Sequence, residues 1–204
     1  MERPGKIVCV GRNYREHAKE MGNEVPAEPL LFLKPPSCVT ATGASIELPP
    51  GAGRVDFEGE VGIVIGARLR KATAEQSAAA VRGVVAANDV SAREWQKNDG
   101  QWARAKGSDT FLPLGEESRG PHDLGALTLV TRLNGVEKQR GSTSELVFPI
   151  PVLLSYISRF ITLEPGDVVL TGTPSGVGAL KAGDVVEVEV VGHSTVRSPV
   201  VAPA

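Results

Sequence analysis

The apolar positions of this chain gather in short runs separated by glycine, proline and charged residues, a pattern of strands and tight turns more than of long helices. Residues 6–10 (K-I-V-C-V) predict a strand ended by Gly11. Residues 28–34 (E-P-L-L-F-L-K) predict a second buried strand, broken by Pro35-Pro36 with Lys34 near the mouth of the following loop. Residues 55–65 (V-D-F-E-G-E-V-G-I-V-I) predict a third, with Glu58 and Glu60 two positions apart at its head and so on one face. The run V-V-A-A-N-D predicts a strand ending at Asp89, and Asn134-Gly135 between L-T-L-V-T-R-L and V-E-K-Q predicts a hairpin. Gly166-Asp167-Val168-Val169 is echoed by Gly183-Asp184-Val185-Val186, each a turn feeding a strand.

Helical patterns are few. Residues 11–21 are polar and helix-compatible, closed by Gly22. Thr73-Ala74-Glu75-Gln76 is a capping box opening an alanine-rich helix through Val81. S-A-R-E-W-Q-K-N predicts a helix with Ser91 as its cap, residues 98–107 a polar loop, and residues 150–160 an amphipathic helix with Pro151 in the first turn. No linker or composition shift divides residues 1–204, so one α+β domain, mostly β, is expected.

Composition narrows the field. With 204 residues, 41% of them hydrophobic, the chain can bury a core without disulfides or metal staples. A formal net charge of −2 gives nucleic acid or an anionic membrane no purchase as partner. No apolar run approaches a membrane span, and the start M-E-R-P-G-K-I-V lacks a signal-peptide core, which points to the cytoplasm. Cys9 and Cys38, at no metal-like spacing, read as reduced thiols.

The chemistry collects on acidic residues. Glu58, Glu60 and Asp89 fall on, or at the end of, apolar runs, where a charge is costly unless paired or metal-bound. Three carboxylates form an all-oxygen set suited to Mg²⁺, Mn²⁺ or Ca²⁺ rather than zinc. The spacing alone equally allows an edge strand whose glutamates face water. His17 and Glu20, at i and i+3, share a helix face, either as a functional pair or on a solvated surface. Arg12 and Arg15 flank that pair, each able to grip a carboxylate or simply to solvate the helix. Tyr14 fits packing as well as chemistry. His122 and His193 read as surface residues, and Gly172, Gly176 and Gly178 as turns where backbone comes close to ligand.

Several blocks together resemble one family. They are G-R-N-Y-x-x-H-x-x-E (Gly11 to Glu20), L-F-L-K-P (Leu31 to Pro35), E-G-E-V-G-I-V-I-G (Glu58 to Gly66), N-D-V-S-A-R-E-W-Q (Asn88 to Gln96), K-G-S-D-T-F-x-P-x-G (Lys106 to Gly115) and G-D-V-V-L-T-G-T-P-S-G-V-G (Gly166 to Gly178). In this order they resemble the fumarylacetoacetate hydrolase family, and within it the short acylpyruvate hydrolase branch. The resemblance implies a mixed, rolled β-sandwich or open-barrel core with a few short helices, and a homodimer. It implies that Glu58, Glu60 and Asp89 ligate Mg²⁺ or Mn²⁺, and that His17 and Glu20 form a water-activating dyad on a segment that closes over the site. It implies that Lys106 stands beside the metal, and that Gln96 and Thr173 help hold substrate or water, with Arg12 the better candidate for a distal carboxylate. Glu116-Glu117 departs from relatives that often place proline there.

The activity this implies is metal-dependent hydrolysis of a carbon–carbon bond in a 3-acylpyruvate-type 2-oxo acid, through an enolate, with water activated by the His-Glu dyad. The same centre suits decarboxylation of oxaloacetate or isomerisation of a 2-hydroxyhepta-2,4-diene-1,7-dioate. A non-catalytic, metal-bound 2-oxo acid binding protein is the alternative of another class.

Overall fold

A computed structural model describes residues 3–20, 22 and 24–202. The run of residues 55–65 lies at its centre, as two strands rather than one. Val55–Phe57 belongs to a three-stranded sheet between Gly178–Ala179 and Ser91–Ala92. Gly59–Ile65 belongs to an eight-stranded sheet, and Glu58 sits at the break between them. There the Glu58 N–H donates to the Asn88 side chain at 3.0 Å, while the Glu58 carbonyl accepts from Asp89 N at 2.8 Å. A side chain therefore satisfies a donor that the ladder has left.

In the large sheet the strands lie in the order Leu30–Lys34, Ile7–Gly11, Val168–Leu170, Gly59–Ile65, Val81–Asn88, Leu112–Leu114 and Val39–Ala41, with Ser118–Arg119 also paired to Val81–Asn88. Pairing is mixed: Ile7–Gly11 runs parallel to Val168–Leu170, and Val39–Ala41 parallel to Leu112–Leu114. A five-stranded sheet packs beside it, ordered Val136–Ser142, Thr128–Leu133, Val185–Val190, Ser194–Val201 and Ile46–Glu47. The expected mostly-β, rolled architecture with few helices is what forms.

Gly59–Ile65 is buried on both faces, which explains its near-continuous apolar sequence. Val61, Ile63 and Ile65 enter one core with Leu129, Val188 and the inner face of the helix Ile150–Ser158. Val64 enters the other, with Ile7, Phe57, Val85 and Leu112.

Local signals that need no tertiary help came out as expected. Thr73 Oγ1 accepts from Gln76 N at 3.3 Å and Gln76 Oε1 accepts from Thr73 N at 2.9 Å, completing the capping box of Ala74–Ala79. That helix ends before Val81, which already belongs to the next strand. Asn134 and Gly135 take φ of 52° and 79°, the left-handed pair of a tight hairpin turn. The repeated Gly-Asp turns share one device. Asp167 accepts from Glu164 N at 2.7 Å and Asp184 from Lys181 N at 2.8 Å, each behind a glycine of positive φ.

Three further expectations are corrected. Ser91 is not a helix cap: it lies in a short strand, its hydroxyl donates to the Asp89 carbonyl at 2.9 Å, and Ala92 precedes the helix Arg93–Asn98 without a side-chain cap. Residues 98–107 are not all loop, since Ala103–Gly107 is a helix, held by packing that its polar sequence does not advertise. Leu30–Lys34 is an edge strand, only partly buried, with Leu33 exposed. The first predicted helix spans Arg15–Glu20; its last expected residue, Met21, lies outside the described residues. No helix among the described residues is long and apolar enough to cross a membrane.

Candidate metal centre and its pocket

Alternation along residues 56–60 puts Asp56, Glu58 and Glu60 on one side of the chain, and pairing with Val81–Asn88 brings Asp89 alongside. Glu58, Glu60 and Asp89 are each at most 5% exposed, and one carboxylate oxygen from each lies within 4.8 Å of the others. The edge-strand reading of these glutamates is thereby excluded.

Buried cations partly neutralise the group. Lys106, on the helix Ala103–Gly107, donates to Glu58 Oε2 and Asp89 Oδ2, both at 2.7 Å. Lys34 donates to the other Asp89 oxygen at 2.6 Å. Arg93 Nη1 lies 2.7 Å from Glu58 Oε1. Burial alone would raise the Glu58 carboxyl, but Lys106, Arg93 and His17 outweigh it and hold it well below the usual range. Burial would likewise lower Lys106, but Asp89 and Glu58 hold it above the usual lysine value.

Glu60 differs. Burial first, then the charges of Asp89 and Glu58, push its carboxyl well above the usual range. Its hydrogen-bond donor among the described residues is the Gly172 backbone N–H, at 2.7 Å, and no lysine or arginine among them pairs with it. A buried carboxylate without a cationic partner, beside two others in an all-oxygen set, fits a hard divalent cation.

The cluster floors a cavity of about 680 Å³, lined also by Arg12, His17, Phe32, Arg54, Asp56, Arg93, Gln96, Lys97, Trp102, Lys106 and Thr173. Every expected site residue except Glu20 lines it. His17 is 7% exposed and its Nδ1 lies 3.4 Å from Glu20 Oε2, which leaves Nε2 as the nitrogen free for a ligand. Glu20 is in turn held by the Gly176 N–H, 3.1 Å from each carboxylate oxygen. Thr173 Oγ1 accepts from Gln139 Nε2 at 2.8 Å, so its own proton remains to be donated. Arg12 reaches the cavity from a backbone of φ 60°, uncommon for a residue with a side chain, whereas Arg15 is exposed.

In the glycine-rich segment, Gly172 and Gly176, at φ of 101° and 96°, turn their N–H groups onto the site carboxylates Glu60 and Glu20. Tyr14 is buried in the core. Glu117 pairs with Arg82 and does not line the cavity.

Sequence reasoning missed Lys34 as a site residue, and missed Asp56 and Arg93 altogether. Asp56 continues the alternation of Glu58 and Glu60, while Arg93 sits inside the block Asn88 to Gln96 and Lys34 inside the block Leu31 to Pro35, so all three carried a readable signal.

Comparison with known proteins agrees with this geometry. The profile of the fumarylacetoacetate hydrolase C-terminal family matches residues 6–201. The chain is 41% identical over 203 residues to bovine mitochondrial oxaloacetate tautomerase FAHD2A, covering 92% of this chain and 64% of that one. It superposes with a TM-score of 0.91 and 43% identity on a 5-carboxymethyl-2-hydroxymuconate delta-isomerase from Mycobacterium smegmatis, covering 99% of this chain and 80% of the other. A 2-hydroxyhepta-2,4-diene-1,7-dioate isomerase from Mycobacterium marinum gives 0.89 and 42%, covering 98% and 75%.

Proposed function

This chain belongs to the fumarylacetoacetate hydrolase family, and from that premise we propose that it is a divalent-metal-dependent enzyme moving a proton between carbon and oxygen of a 2-oxo dicarboxylic acid. The reaction is a keto–enol tautomerisation or the isomerisation of a related dienol. The observation that carries it is the joint placement of the Glu58, Glu60 and Asp89 carboxylates and the His17 imidazole on one cavity. Mg²⁺ or Mn²⁺, when bound by the three carboxylates, supplies Lewis-acid stabilisation of negative charge on the 2-oxo oxygen.

The chain's own groups do the rest. Lys106 places a fixed positive charge beside the region where enolate charge develops. His17 Nε2 takes the proton from the carbon next to the 2-oxo group and delivers it to the 2-oxo oxygen, or carries it back along the same path in the reverse direction, with Nδ1 turned to Glu20. Thr173 donates its hydroxyl proton, and Gln96 an amide proton, to the acid's head group, and Arg12 faces the distal carboxylate. Proton transfer of this kind asks for one base and no positioned water. The identified relatives named as a tautomerase and as isomerases support the same reading.

Carbon–carbon hydrolysis of an acylpyruvate is the second reading, favoured by the His17–Glu20 pair, which can activate water as well as a C–H bond. One panel separates them. Purified protein, stripped with EDTA and resupplied with Mg²⁺ or Mn²⁺, is assayed for oxaloacetate tautomerisation and decarboxylation and for acetylpyruvate and fumarylpyruvate cleavage. Metal-restored tautomerisation without cleavage supports the first reading, and cleavage with it supports the second. Metal binding with no turnover on any substrate leaves a binding protein.

A further inference from the structure

One buried carboxylate in the cavity is neither in the proposed ligand set nor a proposed base. Asp56 is 1% exposed, on the strand Val55–Phe57. Arg54 Nε donates to its Oδ1 at 2.7 Å, and Arg54 Nη2 to its Oδ2 at 3.1 Å. Arg93 Nε donates to the same Oδ2 at 2.8 Å. Arg54 is largely exposed, while Arg93 is largely buried and reaches inward. From the other edge of that guanidinium, Nη1 lies 2.7 Å from Glu58 Oε1 and donates to Gln96 Oε1 at 2.9 Å. We propose that Asp56 is a positioning residue: through the single guanidinium of Arg93 it sets both the Glu58 carboxylate and the Gln96 amide.

The physics lies in how many contacts hold the arginine plane. Its Nη2 is buried with no hydrogen-bond acceptor among the described residues. If Asp56 loses its charge, nothing on the Nε edge replaces it, and Glu58 becomes the remaining carboxylate in contact with the guanidinium. Arg93 then competes harder with a divalent cation for Glu58. The second consequence concerns Gln96. With Oε1 occupied by Arg93, the amide offers a ligand only its N–H₂ end, which suits an anionic head group. Released, it is free to turn its oxygen to the same anion and repel it.

The inference rests on the 2-oxo-acid reading only in its choice of organic probe, pyruvate. Asp56→Asn keeps the volume and one acceptor for Arg54. Calorimetric titration of Mn²⁺ into metal-stripped D56N is expected to show affinity about 10-fold below wild type, the scale of an outer-shell change at a metal site. Pyruvate binding at saturating Mn²⁺ is expected to weaken about as much, and to add little to the loss already caused by Gln96→Leu, because both act through one amide. Unchanged Mn²⁺ and pyruvate affinity with only a lower melting temperature overturns the proposal, and so do losses that add in full with Q96L. If D56N does not fold, Arg93→Lys carries the same test, since an ammonium lacks the fork that joins Asp56, Glu58 and Gln96. Failure of wild type to bind pyruvate counts against the 2-oxo-acid reading, and the Mn²⁺ titration still decides for Asp56.

Discussion

A buried carboxylate ionises against its surroundings: burial, then Asp89 and Glu58, oppose ionisation of Glu60, and the nearby charge of Lys106 and one backbone N–H only partly offset them. Its raised carboxyl holds a proton in the folded chain at pH values where the unfolded chain has lost it. Stability of the metal-free protein from this group is therefore complete below the unfolded value near 4.5 and is lost as pH rises toward the folded one. Thermal melts of EDTA-treated protein should fall over that rise, Mn²⁺ should remove the fall, and Glu60→Gln should flatten it; a slope unchanged in E60Q would assign it elsewhere. Glu58 contributes with the opposite sign, losing its stabilisation only as pH drops below the ordinary carboxylate range. At His17 the expectation concerns rate. His17→Ala should lower metal-dependent turnover by about 10²–10⁴-fold, the usual worth of a general base, with Mn²⁺ affinity unchanged. A fall in Mn²⁺ binding of similar size would make the imidazole a ligand instead.

Between residue and molecule, the elements divide into those that hold themselves and those held by neighbours. The helix Ala74–Ala79 begins at a complete capping box on an exposed loop and contributes no residue to the cavity lining. Thr73→Ala should cost about 1 kcal/mol in urea unfolding and leave turnover as it was. The segment after Val168–Leu170 has no such independence. Gly172 turns through φ 101° to reach Glu60, and a Cβ there would stand 2.9 Å from the Asn13 side chain. Gly172→Ala should therefore weaken Mn²⁺ binding by displacing the N–H that steadies Glu60, a loss read by calorimetry. Wild-type affinity in that variant would mean Glu60 needs no backbone donor.

On the scale of the whole molecule, the two cores and the site meet at one point. The chain from Val55 to Ile65 leaves the three-stranded sheet, breaks at Glu58 and enters the eight-stranded one. The acidic side chains stand where the sheets part and a cavity opens. A cation held by Glu58, Glu60 and Asp89 would add a cross-link at this junction. Saturating Mn²⁺ at 100 times its dissociation constant should stabilise the fold by about 2.7 kcal/mol, seen as a rise in melting temperature that Mn²⁺ with excess EDTA does not give.

Much of this was legible in the order of residues. Period-two alternation placed Glu58 and Glu60 on one face, Asn134-Gly135 specified its own turn, and Thr73 with Gln76 its own helix start, because each depends on neighbours a few positions away. The motif blocks carried the family, and with it the three carboxylates. The chain order could not say that Lys34 and Lys106 would bracket Asp89 from different elements. Nor could it say that Arg93 would bridge Asp56, Glu58 and Gln96, or that a glycine far along the chain would cap Glu60. Apart from Arg93 with Gln96, those contacts join residues far apart in sequence, and they exist only because sheet pairing and desolvation bring these buried charges together.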